Sequence, residues 1–203
     1  LYWVHERPDE HFAEAYLGGD DSEYDVLKHN SETVVNGTAR EYQRMLALVN
    51  SDLSSPKSYQ QLKTLLDIPH FIDYMIINFY LGNWDWAHQN WYATYNRVDS
   101  EGRWRFHCWD AEHIMESIHA DMTQKNDFGG PTYIHQQLVN NAEYRQQFAD
   151  HVYRHFFNDG LLTTDNIKQF YRTLLAKVDR AVVCESARWG DSHRDRPYTR
   201  NGE

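Results

Sequence analysis

Asn83-Trp84-Asp85-Trp86-Ala87-His88-Gln89-Asn90 is a polar knot set between an apolar stretch, Ile68 to Gly82, and an aromatic-rich one, Asn90 to Arg97. A second aromatic run, Arg103 to Asp110, follows after Val98-Asp99-Ser100-Glu101-Gly102. Two runs rich in Trp, Tyr and Phe joined by a short Asp/Ser/Gly link predict a β-hairpin. A turn centred near residue 100 pairs residue 90 with residue 110. Asn90 and Asp110 then meet at the open end of the hairpin, beside the loop that carries Asp85. Two carboxylates and an amide converge with no long-range assumption, and a loop held by rigid elements on both sides is a usual place for functional groups.

Outward from this core the chain reads as mostly helical. Asp9 to Leu17 predicts a helix after Arg7-Pro8, and Tyr24 to Lys28 an extended segment. Asn36-Gly37-Thr38 predicts a turn, with Thr38 as N-cap of a helix bearing Tyr42, Met45, Leu46 and Val49. Ser54-Ser55-Pro56 and Ile68-Pro69 each open a helix, since proline is accommodated in the first turn. Tyr133 to Asn140, Ala142 to Asn158, and Thr164 to about Ala187 complete the helical set. Leu1 to Val4 reads as a strand already under way, so the chain is expected to be part of a longer protein. No repeat or low-complexity tract interrupts it.

Composition narrows the function classes. The chain has 203 residues and is 15% aromatic, with 7 Trp and 14 Tyr, which suits a folded domain with bulky packing. A formal charge of −10 opposes a general nucleic-acid surface. The densest basic segment, Arg188 to Arg200, is interleaved with Asp191, Asp195 and a proline. No stretch approaches the ~18 apolar residues of a membrane span. Cys108 and Cys184 are too few for a disulfide framework and read as two separate buried thiols, with a single bridge as the alternative.

The chemistry implied by Asp85, Asn90 and Asp110 is that of a hard cation. Oxygen donors suit Mg²⁺ or Mn²⁺, which complete their shell with water and substrate phosphates. Protein kinases place an Asp five positions before a metal-binding Asn, and a hairpin then delivers a second metal-binding Asp. Asp85 and Asn90 have that spacing, and Asp110 follows the hairpin.

At these residues the chain resembles the spore coat protein H (CotH) kinase family. Ile72-Asp73-Tyr74, Leu81 to Trp86 and His88-Gln89-Asn90-Trp91-Tyr92 look like its central motif, and Trp104-Arg105-Phe106 with Trp109-Asp110 like its second. Val4 to Glu10, Val35 to Thr38 and Glu185 to Asp191 extend the likeness over nearly the whole chain. The resemblance implies an α+β, atypical protein-kinase-like fold, here a single domain over 1–203 made mostly of the helical C-lobe with a truncated N-lobe. It also implies ATP with divalent metal, transfer to Ser or Thr of a protein substrate, and export or a cell-surface location. Asp85 would be the catalytic aspartate, while Asp110 and Asn90 would hold the metal. Lys28, at the end of its extended segment, is the candidate for the α/β-phosphates, with Glu6 as ion-pair partner. No glycine-rich phosphate-covering loop occurs in these residues.

Competing readings bear on several of these residues. Asp85 also fits a helix-ending turn, and Asp110 an N-cap for a short helix from Ala111 to Ser117. Trp84, Trp86, Trp91, Trp104 and Trp109 read as packing residues rather than a nucleotide platform. Asp127-Phe128-Gly129 spells a kinase motif but reads as a turn before a helix. His88, His107 and His113 flank the carboxylates and offer a transition-metal site with Asp110 or Glu112. Arg188 and Asp191 read as an ion pair at a helix end. The alternatives to phosphotransfer are a non-catalytic kinase-like binding module in surface or coat assembly, and a metal-dependent hydrolase using the same carboxylates with a histidine.

Overall fold

The computed structural model describes residues 5–190, so the expected strand at Leu1 to Val4, and Asp191, lie outside the described residues. The chain divides into two compact units, one spanning Glu6–His151 and the other holding His5 and the residues from Val152 onward.

In the first unit, α1 (Glu10–Leu17) starts where the Asp9 side chain accepts the His11 and Phe12 N–H groups at 3.2 and 3.3 Å, and it ends at Gly18, φ 85°. A 3-10 turn (Asp21–Glu23), closed by a capping box between Asp20 and Glu23, leads into β1 (Tyr24–Lys28). β2 (Val34–Asn36) follows, a strand too short to be read from sequence, and then α2 (Arg40–Val49) and α3 (Pro56–Leu62). α4 (Ile68–Tyr80) carries Asp67 as its N-cap. The expected hairpin is present as β3 (Trp91–Asn96) and β4 (Arg105–Cys108), and α5 (Pro131–Leu138) comes after a long connection. Within that connection Gly130 N–H bonds to Asp127 O at 3.0 Å, so Asp127-Phe128-Gly129 is indeed a turn before a helix.

The four strands form one antiparallel sheet in the order β2-β1-β3-β4. β3 and β4 pair Trp91 with Cys108 and Thr94 with Arg105, one residue out of step with the expected centre. Strand alternation then sorts the side chains to two faces. On one face Tyr24, Val26 and Tyr92 pack with Ala13 of α1, bordered by Leu17, Val35 and Trp109. On the other, Trp91 and Phe106 meet Tyr42 of α2 and Phe71 and Tyr74 of α4, with ring centroids 5.3–6.2 Å apart. Trp86, Trp91 and Trp104 are fully buried, as expected of packing residues, whereas Trp84 is 44% exposed.

An ion pair between a buried aspartate and a surface arginine ties the sheet to the turn before α2. Asp25 is 0% exposed, accepts the Thr38 N–H at 2.6 Å and pairs with Arg97 Nη1 at 2.9 Å. Gly37 is required here: its φ is 69°, and a Cβ would collide with the Asp25 carboxylate and the Arg97 guanidinium. Asp25 engages only the Thr38 backbone N–H, and the Thr38 hydroxyl accepts the Arg40 N–H at 3.4 Å from one position before the N-cap, not from the expected N-cap position itself. Ala39 holds the N-cap position, with no side-chain cap bond. Removing the arginine strands the aspartate in the interior, so Arg97→Ala is expected to cost about 3 kcal/mol. Thermal unfolding should then shift down by roughly 10 °C. A double replacement by apolar residues should recover most of that loss. A melting curve for Arg97→Ala superimposable on the parent would refute the assignment.

α6 (Ala142–Phe156) runs from the first unit into the second, which continues with α7 (Thr164–Trp189). Arg188 lies over the Trp189 ring, 4.8 Å from its centroid. Among the described residues no helix is long and apolar enough to cross a membrane. Both thiols are free, and Cys108 and Cys184 are exposed rather than buried, because each sits at a partly open position of its strand or helix.

Candidate functional site

The last turn of α4 and the start of β3 fix both ends of the loop over residues 83–90. Asn83, 2% exposed, donates from Nδ2 to Asn78 Oδ1 at 3.0 Å, and its backbone N–H goes to Asn78 O at 3.1 Å. Trp86 anchors the middle, its carbonyl accepting the Asn90 N–H at 2.9 Å. Trp91 closes the loop by donating from Nε1 to Ala87 O at 3.2 Å. A segment without regular structure is thus held by buried aromatic and amide side chains.

Asp85, Asn90 and Asp110 come together as the hairpin geometry predicts. Asn90 is 5% exposed, and its Nδ2 donates to Asp85 O at 2.8 Å and lies 3.4 Å from Asp110 O. With the amide N–H₂ group used internally, Oδ1 is the atom left to accept a cation. Asp110 is exposed and adopts φ 51°, a left-handed conformation uncommon for a non-glycine residue. It does not cap a helix over 111–117, and none forms there. The reversal of the chain at Asp110 instead turns the segment back over Asp85, and Trp84 N–H reaches His113 O at 3.3 Å.

Gln89, which the sequence singled out for no role, and His88, expected to flank the carboxylates, shape the Asp85 carboxylate. Gln89 Nε2 donates to both of its oxygens at 3.0 Å, and His88 Nε2 approaches Oδ1 at 3.3 Å. Gln89 is itself fixed by His29, whose Nδ1 bonds to the Gln89 carbonyl while its N–H donates to Trp91 O at 3.0 Å. His29 also has a left-handed backbone, φ 66°, and such positions concentrate where the surroundings over-determine a functional geometry. Burial, then the neighbouring Lys28, lowers its imidazole pKa below the ordinary value. Its position one residue past a strand end carried no periodic signal, so only the tertiary contact reveals it.

The other predicted residues are placed differently. Lys28 Nζ lies over the rings of Tyr92 and Trp109, 5.3 and 5.5 Å from their centroids, so it stands beside the residue preceding Asp110. It forms no ion pair with Glu6, which accepts the Tyr16 hydroxyl at 2.7 Å instead. Of the three histidines, His88 and His113 flank Asp85. His107 is turned into the interior, where its Nε2 is 2.9 Å from Thr94 Oγ1. The β3–β4 register sets it directly opposite Tyr92, on the same face of the sheet as that ring.

Asp85, the amide oxygen of Asn90 and Asp110, whose backbone carbonyl lies 3.4 Å from Asn90 Nδ2, supply oxygen donors of the kind that suits a hard divalent cation, with Lys28 over the ring of Trp109. Fold and site together define a mixed α+β domain with an oxygen-rich centre at the mouth of a hairpin. The family model described as CotH kinase protein matches residues 1–201, and the chain belongs to that family. Membership implies a kinase-like domain, with nucleotide, divalent metal and a protein substrate as general features of the family. No curated protein and no solved structure matches the chain.

Proposed function

We propose that the chain is an atypical, kinase-like phosphotransfer domain that moves the γ-phosphoryl group of ATP to a Ser or Thr hydroxyl of a protein substrate. The observation that carries this reading is the single amide of Asn90, which ties the backbone carbonyls of Asp85 and Asp110 together at the hairpin mouth. Asp85 orients the attacking hydroxyl and accepts its proton as the oxygen bonds to phosphorus and ADP leaves. Gln89 and His88 hold the carboxylate so that little reorganisation is needed. Asp110 and Asn90 hold Mg²⁺ or Mn²⁺, which when bound neutralises charge on the phosphates. Lys28 is the proposed contact to the α/β-phosphates. Glu6, engaged by Tyr16 in this structure, pairs with Lys28 only after a rearrangement. An extracellular or cell-surface location accords with the family's spore-coat association.

Calorimetric titration with ATP, with and without Mg²⁺ or Mn²⁺, tests the site. Metal-dependent binding is expected, with affinity reduced at least roughly 100-fold in Asp110→Ala, as loss of a cation's main carboxylate usually entails. ATP binding that ignores both metal and Asp110 would remove the assignment.

The missing Lys28–Glu6 pair favours a second reading, a kinase-like fold retained only for binding partners in surface or coat assembly. That reading requires partner capture that is independent of nucleotide and unchanged in Asp110→Ala.

A further inference from the structure

Two side chains that phosphotransfer does not use, Glu112 and His113, converge on Asp85. Asp85, Glu112 and His113 each bring a ligand atom within 4.8 Å of the other two. His113 Nε2 lies 3.7 Å from Glu112 Oε1. Two donors on a tetrahedral zinc ion with bonds of ~2.0–2.1 Å are themselves ~3.3 Å apart. Closing this arrangement on an ion therefore needs a shift of about 0.4 Å between His113 and Glu112, and of no more than about 1.5 Å for the trio, met by the more exposed Glu112 and His113 side chains.

The imidazole is also oriented from outside that trio. Glu116 Oε1 accepts the His113 Nδ1–H at 2.6 Å, which leaves the Nε2 lone pair as the atom facing the two carboxylates. Glu116 is held in turn by Trp84 Nε1 at 3.2 Å, and the Trp84 ring lies against the imidazole with centroids 4.9 Å apart. A carboxylate behind one ring nitrogen and a metal in front of the other is the usual support of a ligating histidine, because it sets the tautomer and raises basicity. It also accounts for the exposure of Trp84, the one tryptophan of the loop that is not packed inside.

Ligand type then selects the ion. An imidazole with two carboxylates suits a borderline transition metal, whereas Mg²⁺ prefers oxygen and retains its waters. We propose that Asp85, Glu112 and His113, backed by Glu116, form a binding site for a transition-metal ion of the zinc class, separate from the hard-cation donors Asp110 and Asn90. Three protein ligands leave one position open to water. Occupancy engages the Asp85 carboxylate, so such an ion inhibits phosphotransfer. This consequence rests on the kinase reading, while the binding itself does not.

The test is titration of the protein with Co²⁺, without nucleotide, followed by visible ligand-field absorption. One equivalent is expected to disappear in His113→Ala and to be displaced by Zn²⁺ but not by a large excess of Mg²⁺. Glu116→Gln should weaken that equivalent about 10-fold or more, and Asp110→Ala should leave it intact. All four side chains are partly exposed and on a loop, so these variants should fold. Equal Co²⁺ stoichiometry in the parent and His113→Ala, or displacement by Mg²⁺ at comparable concentration, overturns the proposal. His113-dependent Co²⁺ binding without metal-dependent ATP binding would keep this site and remove the kinase reading. The reverse pattern would remove this site alone.

Discussion

Asp85→Ala is expected to reduce phosphoryl transfer from labelled ATP to a Ser/Thr peptide library by about 10³-fold, roughly 4 kcal/mol of lost transition-state stabilisation. Nucleotide binding should change far less, because the proposed cation donors are Asp110 and Asn90. The contrast between the two aspartates is the informative part. Asp110→Ala should act on metal-dependent nucleotide binding and on turnover together, whereas Asp85→Ala should act on turnover. The geometry makes a further distinction, since Gln89 Nε2 contacts both Asp85 oxygens while Asn90 bonds chiefly to the Asp85 backbone carbonyl, at 2.8 Å. Unchanged transfer in Asp85→Ala would sink the catalytic role, whatever happens to ATP affinity.

The second large effect is acid sensitivity well above the range in which carboxylates titrate. Burial pushes the His107 imidazole down to about 3, with nearby His70 and Arg105 adding to the effect. Burial likewise takes His135, which is bonded to the Tyr144 hydroxyl at 2.8 Å, down to about 4. His70 is lowered too, chiefly by burial. Each group is neutral in the folded state and titrates near 6.5 when unfolded, so below that pH the unfolded chain binds more protons. Stability is therefore complete above pH ~6.5 and declines as pH falls toward the folded values. Each such histidine contributes about 1.4 kcal/mol per pH unit in that window. For His107 and His135 together, an upper figure of about 4 kcal/mol is lost between pH 6.5 and 5. That is a large fraction of an ordinary domain's stability. Melting temperature measured against pH should fall steeply across this interval, and His135→Phe should flatten the slope. A melting temperature independent of pH from 6.5 to 5 would show that these imidazoles are not buried neutral.

How much of the fold was legible follows from where its signals were local. Pro56 and Pro69 in first helical turns, Gly18 after Leu17, and the aromatic runs on either side of residues 98–102 each act over a few residues. Those elements lie where the pattern puts them, within a residue or two. β2 was not legible, since three residues beside a glycine turn carry no periodicity and become a strand only by pairing with β1. The helix expected over 111–117 failed for the converse reason. Its composition allows a helix, but the left-handed backbone at Asp110 and the tie from Trp84 N–H to His113 O commit the segment to a loop.

The site divides along the same line. Sequence alone determined the convergence of Asp85, Asn90 and Asp110, because a hairpin transmits position along the chain by pairing: its two ends must meet once its turn is known. The one-residue difference in register did not matter, since the Asn90 side chain spans to the Asp110 carbonyl. Tertiary structure alone decided the partners that reach this centre from distant segments. His29 comes from the end of β1, 60 residues before the Gln89 carbonyl it holds, and no spacing rule connects them. Lys28 lies over Tyr92 and Trp109 instead of pairing with Glu6, because the β1–β3 register sets it opposite Tyr92, whose ring packs against Trp109. His107 and His113, alike in sequence context, part ways because one lies in a strand that turns it inward and the other in a loop that folds back over Asp85. Side chains bound to a turn or a pairing register are written locally, whereas those brought together by packing depend on the whole core being in place.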